Sequence, residues 1–475
     1  MLESLIFKLE NDAFFLYSYK KRCLLNLAEN VYLLCDLFLN RKIPIEQVCK
    51  YAKEHKINQS DYDYFLFLKN NDFLSPLEIK IFSSISVDAL SSAFCELKIL
   101  VFEITKKCNL NCSYCIYGDL YDIKEKKCQN DYLSFSKAKA ILDYIYQWCL
   151  KNKISKRLTL SFYGGEPLLG FEIIRQIVEY AESISSDILS FKYDMTTNGV
   201  LLSKYIQFLI KYDFSLLVSL DGDEYASSYR VNVEGRNLYE TISSTLLKLK
   251  KNNPEYFKKN VKFNAIIHQR NSLSGNIVFF KNKFGILPYF TELTRINVKP
   301  NKNLNFQSIY KSLEDTYRQE KTFLSDADKK NIRQEYSQLR GFLYNLLNKQ
   351  ILNNYSQLFA ENISEIIPSA TCLPFSYKIF VSTDGILYPC EKIGYKYALG
   401  SISNIGKVSI DYISLKEKYD RLYSGIASEC ENCYNLFTCE VCLFSLNAKC
   451  RAVSKDEFIK KIQISLEDEG LDKIF

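Results

Sequence analysis

Residues 103–119, EITKKCNLNCSYCIYGD, are the most informative stretch of this chain. They join the end of an apolar, strand-like run to a loop carrying Cys108, Cys112 and Cys115, which are separated by three and then two residues. A loop this short can bring three thiolates to one face of a four-iron cubane. Three protein thiolates leave one iron without a protein ligand, so the spacing predicts a cluster with an open coordination site.

These residues resemble the radical S-adenosylmethionine (SAM) superfamily, whose CxxxCxφC loop has an aromatic residue where this chain has Tyr114. The resemblance implies that SAM chelates the open iron and that reduction cleaves it to a 5′-deoxyadenosyl radical, which abstracts hydrogen from a substrate. A zinc knuckle is the alternative. Tetrahedral zinc needs a fourth ligand, however, and the chain has only two histidines.

Strand-like runs alternate with helical stretches from residue 97 onward, and each run ends in polar or glycine residues. The runs are LKILVFEIT, RLTLSFYGGEP, FKYDMTTNG, FSLLVSLDG and VKFNAIIHQ. This order predicts parallel βα units, in which ligands bind at the carboxyl ends of the strands. Together with the resemblance, it predicts an α/β fold with a partial (β/α)6 barrel of the TIM type over residues 96–300.

Three of these strand ends carry candidate SAM contacts. Adjacent glycines let a backbone approach a ligand closely, and polar groups at strand ends can bind a ribose or a carboxylate. The resemblance implies that a GGE-type motif binds the SAM amino group and that a serine and an arginine further on also contact SAM. The residues concerned are Gly164, Gly165, Glu166, Pro167, Asn198, Ser219 and Arg230. We interpret His268, after the fifth run, as structural.

Seven of the sixteen cysteines lie between residues 372 and 450, in a pattern that resembles the SPASM domain of peptide-maturing enzymes. The resemblance implies a first auxiliary [4Fe-4S] cluster on Cys372, Cys390 and Cys442, and a second on Cys430, Cys433, Cys439 and Cys450. Two residues separate Cys439 from Cys442 where the family has three, and the first set is one thiolate short. Two zinc sites are the alternative, because CxxC pairs also bind zinc.

The leading functional hypothesis is a peptide- or protein-modifying enzyme that forms a thioether, carbon–carbon or oxidised product. The second is sulfatase-type maturation to formylglycine, in which Glu391, directly after Cys390, would be the general base. A non-enzymatic electron-transfer or metal-stapled binding protein is a third. Six further cysteines fall outside both patterns and read as ordinary buried thiols, with Cys128 lying nearest the loop.

Residues 1–95 read as two strands, at FFLYSYKK and CLLNLAEN, followed by helices. This pattern resembles the winged-helix domains of natural-product maturases, which bind the leader of a precursor peptide as an added strand. The partner implied is therefore a precursor peptide or protein. A structural cap on the barrel is the alternative.

The remaining boundaries are a helical bridge over 301–369, the SPASM domain over 370–452 and a helical tail over 453–475. A net charge of +7 over 475 residues does not favour nucleic acid. There is no apolar run of about 18 residues and the first residues include acidic side chains, so we expect a cytoplasmic protein with no membrane span. A flavodoxin- or ferredoxin-type reductant is the expected electron donor.

Overall fold

The computed structural model describes the whole chain except residues 1, 22, 79, 82–83, 123–129, 296–297, 326–327, 329–364, 367–372, 392, 394–396, 437–438, 440–443, 445–449 and 469–475. It divides into two compact units. The smaller comprises the described residues of Met1–Ile85, Ile332–Thr371 and Lys416–Phe475, and the larger those of Ser86–Asn331 and Cys372–Leu415. Within the described ranges, no helix is both long and apolar enough to cross a membrane.

The smaller unit begins with a three-stranded antiparallel sheet and three helices. Its elements are β1 (Leu5–Lys8), β2 (Phe14–Ser18), β3 (Cys23–Leu27), α1 (Glu29–Leu39), α2 (Ile45–Glu54) and α3 (Gln59–Asn70). The sheet order is β1-β2-β3, and its inner face packs with the helices around Leu16, Leu34 and Phe65. The sequence predicted β2 and β3. It missed β1, because the four residues of that strand show no regular alternation of apolar and polar side chains.

Two short strands and two C-terminal helices complete this unit. They are β4 (Lys80–Ile81), which pairs in parallel with β11 (Glu365–Ile366), and the helices Ala427–Glu431 and Lys455–Asp468. Phe458 of the last helix packs against Tyr17 and Tyr19, with ring centroids 5.7 and 5.9 Å away. The N-terminal sheet and the C-terminal helix therefore share one core, which the sequence pattern did not predict.

The larger unit alternates strands with helices. After α4 (Val87–Ser92), its first half contains β5 (Ile99–Thr105), α5 (Phe135–Asn152), β6 (Lys156–Gly164), α6 (Phe171–Ile184), β7 (Leu189–Thr197), α7 (Leu202–Lys211) and β8 (Ser215–Ser219). Its second half contains α8 (Tyr239–Asn252), α9 (Pro254–Asn260), β9 (Val261–Ile267), α10 (Leu273–Lys283), β10 (Tyr289–Glu292), α11 (Asn303–Ile309) and α12 (Leu313–Glu320). The five predicted strands are all present, and β10 is a sixth.

The last four strands of this unit are β12 (Lys378–Val381), β13 (Ile386–Tyr388), β14 (Gly400–Ile402) and β15 (Val408–Ser409), and helix Tyr412–Ser424 follows them. In the part of the chain that the structure describes, the sheet has ten strands in the order β10-β9-β8-β7-β6-β5-β12-β13-β14-β15. Strands β5 to β10 are parallel, and β12 adds in parallel to β5 before the sheet turns antiparallel. Residues 378–409, which the sequence assigned to the SPASM domain, thus extend the same sheet.

Two glycines fix the approach of β6 to the end of β5. Gly164 has φ +134°, and a Cβ there would lie 2.1 Å from the carbonyl oxygen of Thr105. A Cβ on Gly165 would lie 2.2 Å from the carbonyl oxygen of Lys107. Without side chains on these glycines, the two backbone segments come close enough to form hydrogen bonds. Gly165 N donates to Thr105 O at 2.8 Å, and Glu166 N donates to Lys107 O at 2.9 Å. The glycines therefore hold the backbone that leads into the cysteine loop.

We expect Gly164→Ala to destabilise the protein by more than Gly235→Ala. Gly235 also has positive φ, at +78°, but nothing lies within 4 Å of its added Cβ, so that variant measures backbone strain alone, roughly 1–2 kcal/mol. Gly164→Ala adds a steric overlap worth about 1–3 kcal/mol. Urea unfolding followed by far-ultraviolet circular dichroism measures both. Equal losses in the two variants would contradict the close approach.

Candidate active site

The cysteine loop lies at the carboxyl edge of the parallel sheet, where the ends of β5 to β9 meet. Its backbone is held by the segment after β8: Asn111 N donates to Val231 O at 2.6 Å, and Ser113 N donates to Tyr229 O at 3.0 Å. Thr105, the last residue of β5, donates its hydroxyl to Asp131 O at 2.7 Å. The loop is therefore fixed from both sides before any ligand binds.

Cys108, Cys112 and Cys115 lie near one another and are all partly buried. Burial raises the pKa of the Cys112 thiol to about 12, Arg230 lowers it, and Cys115 and Cys108 raise it further. Among the residues that the structure describes, no group of three or more His, Cys, Asp or Glu side chains is arranged to hold a single metal ion. A four-iron cubane does not need such a group, because each thiolate binds a separate iron atom.

Asn198, at the end of β7, supports the first cysteine. Its side-chain amide donates to Asn109 Oδ1 at 2.7 Å and lies 3.6 Å from Cys108 Sγ. Its own Oδ1 accepts from Val200 N at 3.0 Å. The side chain is 7% exposed, so this contact is set by packing. Asn198 was predicted at the site, whereas Asn109 was missed although it neighbours Cys108.

Glu166 is fully buried directly after the glycine pair. Its carboxylate accepts from Thr197 Oγ1 and Asn198 N, both at 2.8 Å, and from Leu168 N at 3.1 Å. Burial raises its pKa to about 7, against the lowering effect of these donors. The side chain thus ties the end of β6 to the end of β7, while its backbone belongs to the glycine turn.

The raised pKa of Glu166 makes stability depend on pH. A carboxyl whose folded pKa lies above its ordinary value binds its proton more tightly when folded, so its contribution to stability falls as the pH rises through about 7. We expect wild type to lose about 1 kcal/mol relative to Glu166→Gln between pH 6 and pH 8. Paired thermal melts at both pH values measure this. A constant gap between the proteins would contradict it.

Asp221, two residues beyond β8, is fully buried and binds several groups. Arg230 donates to it from Nε at 2.9 Å and from Nη2 at 3.1 Å, and the Tyr114 hydroxyl donates to the same carboxylate. Ile266 N donates at 3.1 Å, and His268 Nε2 lies 3.5 Å away. Burial alone would raise the pKa of Asp221, but Arg230 and His268 outweigh it and lower the pKa well below its usual range.

Removing the charge of Asp221 should destabilise the fold strongly. Asp221→Asn leaves Arg230 buried without its counter-charge, which costs about 3–5 kcal/mol for a buried pair. Glu234→Gln is the matched control, because Glu234 pairs with Arg236 at 3.3 Å on the surface. Exposed pairs contribute below about 1 kcal/mol. Chemical unfolding of the three proteins measures the difference, and similar losses in both variants would contradict the assignment.

Glu391 lies beside a cavity of about 350 Å³ on the inner face of the sheet, lined by residues of β5 to β10 and β12. Its carboxylate lies 3.2 Å from Lys378 Nζ and accepts from Cys390 Sγ at 3.3 Å. Burial raises the pKa of Glu391, but Lys378 outweighs it, so the pKa lies below its usual range. Asp194 lines the same cavity, and burial raises its pKa. Glu391 is thus held as a charged carboxylate.

Four C-terminal cysteines, in the smaller unit, lie near one another. Burial raises the pKa of Cys430 to about 12, and the neighbouring Cys439, Cys450 and Cys433 raise it further. Cys433 Sγ accepts from Val453 N at 3.4 Å. These are the four cysteines that the resemblance assigns to one auxiliary cluster, and that assignment stays a prediction. Cys372, Cys442 and Cys128 lie outside the described residues.

The other predicted residues also lie at this edge of the sheet, and Arg230 has a carboxylate partner within the chain. Ser219 ends β8, Pro167 starts the turn after Glu166, and Arg230 binds a carboxylate, which is that of Asp221. His268 is fully buried, in line with a structural role. Asp221 was missed as a partner, although an acid and an arginine near one strand end are a recognisable signal.

Comparisons with known proteins agree with this geometry. The Radical SAM superfamily model matches residues 102–268. The chain is 24% identical over 230 residues to the radical SAM cyclopropyl synthase TigE of Paramaledivibacter caminithermalis, covering 47% of this chain and 46% of that protein. It is 23% identical over 352 residues to the cysteine-type anaerobic sulfatase-maturating enzyme of Clostridium perfringens strain ATCC 13124, covering 71% of this chain and 86% of that enzyme.

A second sulfatase-maturating enzyme, from Clostridium novyi, is 27% identical over 164 residues, which cover 34% of this chain and 42% of that enzyme. The chain therefore spans less than half of the length of two of these three relatives. The solved structure of native anSMEcpe with bound AdoMet superimposes with a TM-score of 0.52 at 18% identity, covering 80% of this chain and 98% of that one. Its complex with AdoMet and the Kp18Cys peptide also gives 0.52, at 16% identity over 80% and 99%.

These likenesses show a shared fold, and the family match covers the strands that carry the cysteine loop and the turns after it. The matched residues 102–268 begin within β5 and end at His268, just after β9. They include all three loop cysteines, the glycine pair and Asp221. Residues 102–268 of this chain are a radical SAM domain.

Proposed function

We propose that this chain is a peptide- or protein-modifying radical SAM enzyme with one SAM-binding and two auxiliary [4Fe-4S] clusters. The observation that carries the proposal is the edge of the sheet where three neighbouring thiols lie beside the strand ends that carry Glu166, Asn198 and Asp221. When bound and reduced, the cluster and SAM supply a 5′-deoxyadenosyl radical that takes a hydrogen atom from the substrate. The chain's own residues would bind and orient the cluster, SAM and the substrate, and would shield them from water.

Cys108, Cys112 and Cys115 would hold the first cluster. Their donor set suits iron–sulfur chemistry, because three soft thiolates come from one short loop and would leave one iron of a cubane open. The loop is already fixed by Val231 and Tyr229, so cluster assembly would require little rearrangement of the backbone. Deprotonation of the buried thiols would accompany metal binding, since the thiolate is the ligand form.

The SAM contacts proposed are Tyr114, the turn from Gly164 to Pro167, Asn198, Ser219 and Arg230. The side chain of Glu166 is engaged with Thr197, Asn198 and Leu168, so its part in binding would come from the backbone of the turn. Arg230 is already bidentate with Asp221, which holds its guanidinium in one orientation. A pre-oriented guanidinium can bind a second carboxylate without paying the entropy of ordering the side chain.

A substrate side chain would enter the cavity on the inner face of the sheet. Glu391 and Asp194 line it together with Tyr163 and Lys378. Glu391, kept charged by Lys378, is the proposed proton acceptor in an oxidative product-forming step. A peptide substrate is supported by the likeness to an enzyme whose solved structure holds a peptide. Among the described residues β3 is an edge strand of the N-terminal sheet, and it is where a leader strand would be added.

The second candidate function is cysteine-type sulfatase maturation to formylglycine. One observation favours it: the match to the C. perfringens sulfatase-maturating enzyme spans 352 residues and 86% of that enzyme. The two auxiliary clusters would serve either function. Cys430, Cys433, Cys439 and Cys450 would hold one, and Cys372, Cys390 and Cys442 the other.

Anaerobic reconstitution with iron and sulfide tests the proposal. With dithionite and SAM, we expect about twelve irons per chain and formation of 5′-deoxyadenosine, quantified by chromatography. A Cys108, Cys112, Cys115 triple-alanine variant should lose about four irons and all 5′-deoxyadenosine, whereas Cys149→Ala, at a buried thiol of α5, should keep both. Incubation with a sulfatase-derived cysteine peptide, followed by mass spectrometry, distinguishes the two candidate functions.

Bound zinc in place of iron would contradict the proposal. The same is true if wild type and the triple variant release equal amounts of 5′-deoxyadenosine. Conversion of cysteine to formylglycine, detected as the corresponding aldehyde adduct, would favour sulfatase maturation over the leading hypothesis.

A further inference from the structure

A buried ion pair lies beside two of the three loop cysteines, and the cysteine chemistry itself does not explain it. Arg230 is 7% exposed and Asp221 is fully buried. Burying both charges is costly unless each is satisfied by geometry. The pair therefore points to a role that a neutral pair of apolar side chains would not serve.

Asp221 is engaged on both oxygens. Oδ1 accepts from Arg230 Nη2 and Ile266 N, both at 3.1 Å. Oδ2 accepts from Arg230 Nε at 2.9 Å and from the Tyr114 hydroxyl. Because Arg270 N donates to His268 Nδ1 at 3.1 Å, the Nε2 of that ring is left to face Oδ2 at 3.5 Å. The carboxylate links the ends of β8 and β9 to the cysteine loop.

The guanidinium that Asp221 holds lies in the segment that packs against the cysteine loop. The residues on either side of Arg230, Tyr229 and Val231, accept the backbone hydrogen bonds that hold the loop. Cys112 packs with Tyr229 and Tyr114 in one apolar cluster. The guanidinium lies 5.4 Å from the centre of the Tyr114 ring. Arg230 is thus held by a compensating carboxylate within the segment that fixes the cysteine loop.

We propose that Asp221 is a positioning and charge-balancing residue: it holds Arg230 beside Cys112 and Cys115, and the pair together sets the reduction potential of the cluster bound there. This inference rests on the proposed function. One-electron reduction adds a negative charge to the cluster, so a nearby uncompensated cation favours the reduced state and an uncompensated anion disfavours it. Removing either partner should therefore move the potential, and in opposite directions.

The test is a reductive titration of the cluster's 2+/1+ couple without SAM, followed by electron paramagnetic resonance, on reconstituted full-length protein. The signal of this cluster is identified as the one lost in the Cys108, Cys112, Cys115 triple-alanine variant. Four proteins are compared: wild type, Asp221→Asn, Arg230→Gln and the double variant. We expect Asp221→Asn to shift the potential upward and Arg230→Gln to shift it downward, with the double variant close to wild type.

A general loss of stability would not produce opposite shifts in the reduction potential. Asp221→Asn is therefore compared with Asp221→Glu, which keeps the charge and should keep the potential even if the longer side chain lowers the melting temperature. The double variant leaves no buried charge unpaired and should fold better than Asp221→Asn. If Asp221→Asn fails to fold, the test uses the other two variants. Arg230→Gln must then lower the reduction potential, and the double variant must restore it.

Shifts in the same direction, or no shift in a protein that carries its full iron content, would overturn the inference and leave the proposed function standing. Absence of any cluster signal dependent on Cys108, Cys112 and Cys115 in wild type would overturn both. The two failures are therefore distinguished by the iron content and the signal of wild type alone.

Discussion

The carboxyl edge of the sheet depends on one constraint: the charge of Asp221 is buried completely and must be matched where it lies. Arg230, Tyr114 and the backbone of Ile266 match it, and these groups come from the segment after β8, the cysteine loop and β9. A single carboxylate thereby holds three parts of the chain in register. The loop that carries the thiols inherits its position from this contact and from the hydrogen bonds of Tyr229 and Val231.

Glu166 is also a buried acid, but its pKa shifts in the opposite direction. It is as deeply buried as Asp221, but only neutral donors surround it, so its pKa rises where that of Asp221 falls. Two buried acids at neighbouring strand ends thus have pKa values shifted in opposite directions. One supplies a fixed negative charge opposite Arg230, and the other serves mainly as a hydrogen-bonded tie between β6 and β7.

Much of this arrangement was predictable from the sequence. The cysteine spacing, the glycine pair and the alternating runs predicted the loop, the turn and five parallel strands, because these features are local or periodic. The partners of long-range contacts were not predictable in the same way. Nothing in the spacing indicates that Lys378 would face Glu391 or that the hydroxyl of Tyr114 would donate to Asp221. The joining of residues 378–409 to β5 was also missed, since strand pairing between distant segments leaves no local pattern.

Under the proposed function, Cys108, Cys112 and Cys115 would present an open iron to SAM at the edge held by Asp221. The decisive measurement is electron paramagnetic resonance of the dithionite-reduced protein, recorded with and without SAM. We expect SAM to change the g-values of one cluster signal, and we expect this signal to be missing from the triple-alanine variant. A spectrum that SAM leaves unchanged, or a SAM-sensitive signal that survives loss of the three cysteines, would mean that these residues do not hold a SAM-binding cluster.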